Sequence, residues 1–267
     1  MRKLLTAIAV FAAAFLLIET AVTRKSAGQS GRFSRVNRNG VPDWKVDPEF
    51  ADDVFTFVRI RYNSYSGWGR WATDYPDSDL NFSYRLQQLT SLKVDPQGKI
   101  LELSDERLFD YPFIYLIEPG GLEFTHDEIE ALRRYLLNGG FLMVDDFWGT
   151  WEWANFESEI KRVLPEYQIV EIPLDHPVFN TVYNIEEIVQ VPNLGNAQRG
   201  RRTWEQDGVV PHVRGIFDEA GRLMVIINWN TDIGDAWEWA EHPYYPLKYS
   251  TYAIEITVNI IVYAMSH

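Results

Sequence analysis

Three short apolar runs constrain this chain more than any other feature. Residues 113–117 read Phe-Ile-Tyr-Leu-Ile, residues 141–144 read Phe-Leu-Met-Val, and residues 223–227 read Leu-Met-Val-Ile-Ile. Each has the length of a strand and no polar residue to turn toward water, so each must be covered on both faces. Further strands are expected at 54–60, 100–103, 168–172 and 213–217, the last pairing with 223–227 around Asp218-Glu219-Ala220-Gly221. Helices are expected between them. One opens at Thr125, with Glu128 three residues on, and stops at Asn138-Gly139-Gly140. Others span 80–89, capped from Asp77-Ser78-Asp79, then 155–163 and 250–264. The alternation predicts an α/β fold, a mostly parallel sheet with helices on both faces, over residues 52–267.

Residues 1–23 read differently. Arg2 and Lys3 precede an apolar run from 4 to 18 that only Thr6 interrupts. This is the pattern of a signal peptide or an N-terminal membrane anchor, so the rest is expected to be exported: periplasmic, or anchored facing the periplasm or exterior. Residues 24–51 are basic and glycine-bearing and read as a linker. Residues 1–50 carry eight Lys/Arg and four Asp/Glu, and the remainder 17 against 34, within an overall charge of −13. A domain so acidic repels phosphate backbones, which argues against nucleic acid as a partner. The membrane is expected to be met only through the N-terminal segment, and oligomeric state is left open.

In an open α/β sheet, ligands bind beyond the carboxyl ends of the strands, and four such ends carry unusual side chains. The first is followed by Trp68, Arg70 and Trp71, and another by Glu118. A further end carries Asp145 and Asp146, then Trp148, Trp151 and Trp153. The last carries Asn228, Asn230, Asp232, Asp235 and Glu238 with Trp229, Trp237 and Trp239. Eight of the ten tryptophans therefore fall in three clusters just after strand ends. One reading is a cleft with aromatic walls and an acidic floor, suited to sugars or other hydroxyl-rich ligands. The other is that the tryptophans pack loops onto the sheet and that Asp145-Asp146 caps a helix or a turn.

Familiar signatures of catalysis are missing. The chain has no cysteine, which excludes disulfides, thiolate metal sites and a cysteine nucleophile. Its five histidines have no zinc-hydrolase spacing, and there is no G-x-S-x-G elbow. Asn228-x-Asn230-x-Asp232 starts like a calcium loop, but Ile233 and Trp239 stand where glycine and an acid are required. No metal or other cofactor is assigned from sequence; a non-standard divalent cation site stays open.

Three segments together resemble the bacterial family called domain of unknown function 4159. They are Phe109 to Tyr115 leading into the helix–Gly-Gly–strand unit at 128–146, then His176-Pro177-Val178-Phe179, then Gly234 to Trp239 with 259–265 after it. They occur in the family's order and span about residues 52–266. The resemblance implies a flavodoxin-like fold related to class I glutamine amidotransferases. In those enzymes a cysteine sits on a tight strand–helix turn, here near Asp145 to Gly149, so glutaminase chemistry is not expected. Fold alone supplies no activity.

The leading expectation is an exported binding domain with a degenerate amidotransferase-like cleft for a carbohydrate or cell-envelope ligand, using Trp68, Arg70, Trp71, Glu118, Trp148, Asn228, Asn230, Asp232 and Trp237. An alternative is a carboxylate- or cation-dependent hydrolase drawing its acid and base from Asp145, Asp146, Asp235 and Glu238. A third is a non-catalytic scaffold of an envelope complex.

Overall fold

A computed structural model describes residues 42–50, 53–65, 67, 69–200 and 202–267. The expected leader at 1–23, most of the 24–51 linker, and Trp68 lie outside the described residues. Within the linker, Trp44 packs on Tyr84 at 5.7 Å and donates its indole N–H to the Val94 carbonyl at 2.8 Å.

The sheet has seven strands: β1 (Val58–Ile60), β2 (Lys99–Leu101), β3 (Phe113–Ile117), β4 (Phe141–Asp145), β5 (Ile169–Glu171), β6 (His212–Phe217) and β7 (Leu223–Trp229). Their spatial order is β2-β1-β3-β4-β7-β6-β5. The first five in that order are mutually parallel, whereas β6 is antiparallel to β7 and β5 to β6. The three apolar runs became β3, β4 and β7, adjacent at the centre and wholly buried.

Alternation along each strand divides the core. Phe113, Tyr115 and Ile117 join Phe141, Met143 and Ile226 on one face. Ile114, Leu116, Leu142, Val144, Val225 and Ile227 look to the other. The first face is covered by α1 (Asp77–Leu89), α5 (Ile233–Glu238) and α6 (Leu247–Ser266), which contribute Phe82, Leu86, Trp237 and Ile256. The second is covered by α2 (His126–Leu137) and α3 (Gly149–Val163), through Leu132, Leu136, Phe156 and Ile160. A short α4 (Leu194–Arg199) lies in the connection between β5 and β6. Among the described residues no helix is long and apolar enough to cross a membrane.

Several boundaries differ from expectation. The capping box at Thr125 and Glu128 is present. Helix α1 starts at Asp77, so Asp77-Ser78-Asp79 form its first turn rather than its cap. Helix α3 starts at Gly149 rather than 155, because its first turn is held by side chains from elsewhere in the fold. Residues 233–238, expected as loop, form α5.

Candidate functional site

The site lies where β1, β3, β4 and β7 end. Reversal of strand order beside β1 opens a crevice between the loops that leave β1 and β3, the usual ligand position in an open parallel sheet. A cavity of about 260 Å³ sits there. Seven carboxylates line it: Asp74, Glu118, Asp146, Glu152, Glu205, Asp232 and Asp235. Among the described residues, Arg70 is the single cation of the lining.

Arg70 divides the acids into two groups. Its Nε lies 2.9 Å from Glu118 Oε2, and its terminal nitrogens lie 3.2 and 3.1 Å from Glu152 Oε1. Thr73 Oγ1 donates to the other Glu118 oxygen at 2.8 Å, and the Trp148 backbone N–H donates to Glu152 Oε2 at 2.7 Å. Glu118 and Glu152 are thus bonded on both oxygens. Among the described residues, no lysine, arginine or histidine is in salt-bridge contact with the inner group of Asp74, Asp146, Asp232, Asp235 and the neighbouring Glu238. Burial holds all five above the ordinary carboxylate range, and neighbouring negative charges push the same way. Asp235 is raised to about 8 and Glu238 to about 7.

The two adjacent strand-end aspartates diverge. Asp146 faces the cavity. Asp145 is fully buried beneath α5; Tyr115 Oη and the Gly234 N–H donate to its Oδ2 at 3.0 and 2.9 Å, and the Ile233 N–H donates to Oδ1 at 3.3 Å. It anchors the first turn of α5. Burial raises its pKa to about 7, against the pull of these bonds.

The backbone marks the same place. Among the described residues, five other than glycine have left-handed φ: Asp74 (60°), Glu118 (48°), Asp146 (53°), Gln206 (46°) and Asn230 (61°). Four of them line the cavity, and Asn230 braces its wall by accepting from the Gly149 N–H at 2.8 Å. Such conformations cost about 1 kcal/mol or more each and collect at functional sites.

The tryptophan wall is largely not there. Trp237 is fully buried in the core, 4.7 Å from Phe82, with its N–H on the Ala253 carbonyl. Trp148 is 3% exposed and spends its N–H on Asp146 Oδ1 at 2.9 Å, so it supports the cavity from behind. Trp229 packs on Trp153 at 4.6 Å. Trp71 is partly buried beside Tyr75, and its carbonyl accepts from Arg59. Asn228 donates to the Val144 carbonyl and Asn230 to that of Val210 at 2.7 Å, so both amides serve the backbone. The exception is Trp151, which is 60% exposed and meets Tyr65 edge-on at 6.0 Å. Tyr65 and Trp151 rim a second depression of about 530 Å³ that shares Arg70, Thr73 and Glu118 with the carboxylate cavity.

Of the residues expected from sequence, Arg70, Glu118, Asp146, Trp148, Asp232 and Asp235 converge on the cavity, and Glu238 lies beside Asp74 and Asp235. Sequence reasoning missed Asp74, Thr73, Glu152 and Glu205. Asp74 follows the Trp71 cluster in a turn before a proline, a context that reads as ordinary turn chemistry. Glu152 stands between Trp151 and Trp153, on the first turn of a helix whose start was placed too late.

Residues 56–265 match the family model described as domain of unknown function (DUF4159). The chain belongs to the DUF4159 family. No functionally curated protein matches it. The matched span of this DUF4159 domain includes every residue of the carboxylate cavity.

Proposed function

We propose that this DUF4159 domain is an exported binding module for a hydroxyl-rich ligand, a carbohydrate or cell-envelope glycan, seated at the strand-end crevice. The observation that carries the reading is the continuity of two subsites through Arg70, Thr73 and Glu118: a carboxylate-lined cavity inside, and a depression rimmed by Tyr65 and Trp151 outside. Carboxylates and a guanidinium accept from and donate to hydroxyls, while an exposed indole offers a flat face for a sugar ring. The β2-β1-β3-β4 order supports a flavodoxin-like core of the class I amidotransferase-like kind, with β6 and β5 appended beyond β7. The turn that carries the nucleophile in that superfamily is read here at Asp145-Asp146, without a thiol. Export rests on Arg2, Lys3 and the apolar run behind them.

The test is calorimetric titration of the full chain with soluble glycans and peptidoglycan fragments. Trp151→Ala should weaken binding by about tenfold, or about 1.4 kcal/mol, without changing the melting temperature, because the ring is exposed. Equal affinity in the wild type, Trp151→Ala and Glu118→Gln, or no binding of any glycan, would remove this reading.

One observation favours a hydrolase as the second reading. Asp235 and Glu238 are neighbours held near neutral, where a carboxyl group can give and retake a proton. Turnover of a bound glycan that disappears in Asp235→Asn while binding persists would move the hydrolase ahead.

A further inference from the structure

The inner acids pose a problem that the glycan reading leaves unsolved. One carboxylate oxygen from each of Asp74, Asp146 and Asp232 lies within 4.8 Å of the other two. A second such triplet, Asp74, Asp235 and Glu238, shares Asp74. Oxygens on opposite sides of one Ca²⁺, each at 2.3–2.6 Å, are separated by about 5 Å, so either triplet is close enough to share an ion.

An independent observation points to a missing partner. Asp235 lines the cavity at 7% exposure, and its Oδ2 is buried with no hydrogen-bond donor. Asp74 Oδ2, in the same cavity, is buried and equally without one. A carboxyl oxygen removed from water and left unbonded is costly, and the fold places two in one cavity. The nearby arginines make their direct bonds elsewhere. Arg70 is held by Glu118 and Glu152, and Arg59 by Asp79, Ser78 and the Trp71 and Thr73 carbonyls.

We infer that Asp74, Asp146 and Asp232, with Asp235 alongside, form a binding site for one hard divalent cation, Ca²⁺. The donors are all carboxylate oxygens, with no imidazole or thiolate among them, which selects against zinc and copper. Three carboxylates converging on one point suit Ca²⁺, whereas Mg²⁺ keeps most of its water and takes one or two. The site differs from the calcium loop suggested by Asn228-x-Asn230-x-Asp232. Asn228 and Asn230 bond backbone groups, and the ligands come instead from the ends of β4 and β7 and the loop after β1. The cation site requires no organic ligand, so it goes beyond the glycan reading.

The experiment uses the full chain, stripped with chelator and titrated with CaCl₂ and MgCl₂ by calorimetry, with melting curves in parallel. Saturable one-to-one Ca²⁺ binding and a Ca²⁺-dependent rise in melting temperature are expected, with Mg²⁺ weaker. Asp146→Asn and Asp232→Asn should weaken Ca²⁺ by about tenfold or more, the loss produced even by removing a group that only supports a ligand. Without metal, both variants should melt no lower than the wild type, since asparagine keeps an oxygen to accept from the Trp148 indole or the Asp235 N–H and cannot ionise among the other acids. That sign separates lost ligation from failed folding. Asp105→Asn, partly exposed and outside the cavity lining, should respond to Ca²⁺ like the wild type. No response at about 10 mM Ca²⁺, beyond the weakest extracellular sites, overturns the inference, as does an equal response of Asp232→Asn and wild type. Trp151→Ala separates the two readings. Loss of glycan binding with Ca²⁺ binding intact leaves the cation site standing, and Ca²⁺ silence with glycan binding intact removes the cation site alone.

Discussion

Arg59 sits in the middle of β1 with no exposed surface. Its guanidinium bonds Asp79 through Nε and Nη2, and Nη1 takes the Trp71 and Thr73 carbonyls at 3.0 and 2.9 Å. One buried charge therefore holds the chain that leads into Asp74, and it does so one layer beneath the cavity. Trp237 shows the same division of labour. Sequence reasoning placed it in a ligand wall because it follows a strand end, yet it lies among Phe57, Phe82 and Tyr115. Trp237→Ala should therefore lower stability by about 3–5 kcal/mol in chemical denaturation, the opposite of what Trp151→Ala does. A Trp237→Ala protein of near wild-type stability would contradict the packing described. Spacing cannot separate these two rings, because both follow strand ends; only the facing helix distinguishes them. The same limit applies to Asp145 and Asp146, where sequence showed two adjacent acids but not which one turned under α5.

At the scale of elements, the least legible piece was the first turn of α3. Two of its opening amides are satisfied from far along the chain, Gly149 by Asn230 and Thr150 by Asp207 at 2.9 Å, while Trp148 is bonded by Glu152 four residues on. No local cap announces that helix, so its start was read six residues late. Helix α5 was missed because six residues are too few to establish a period, although Asp232 caps it by accepting from the Asp235 N–H. By contrast, β3, β4, β7 and α2 were legible, because continuous apolar runs and a capping box are local signals. Asn230 ties the end of β7 to the start of α3, and it is 3% exposed. Asn230→Ala frees the Gly149 N–H and the Val210 carbonyl together, and should cost about 1–3 kcal/mol in thermal or denaturant unfolding. A change within error would mean that water replaces both bonds at no cost.

Over the whole molecule, a charge of −13 and a set of buried acids act together. Asp145, Asp235 and Glu238 titrate near 7, 8 and 7 in the folded chain, against ordinary values of 3.8 and 4.5. Because the folded values are raised, the native state holds more protons than the unfolded state between these limits. Their stabilisation is fully present below about pH 4 and is lost as pH rises through about 7–8. Groups such as Glu157 and Asp207, lowered by Lys161 and Thr150, act the other way and lose their contribution only in stronger acid. In chelator, the melting temperature should therefore be higher at about pH 5.5 than at about pH 8.5. A flat or rising profile over that interval would show that the inner carboxylates are ionised at no cost. Strand order was not legible in the sequence, since a parallel crossover leaves no trace in local periodicity.

The position of β7 has a consequence for how the chain reaches this state. It is the last strand in sequence, yet it lies between β4 and β6 rather than at an edge. A nascent or truncated chain ending before residue 223 therefore lacks a central member of the sheet, and β4 keeps an open side. Asp146 waits on one bank, while Asp232 and Asp235 arrive only with the final 45 residues. No amino-terminal fragment that ends before residue 223 can contain the acidic pocket.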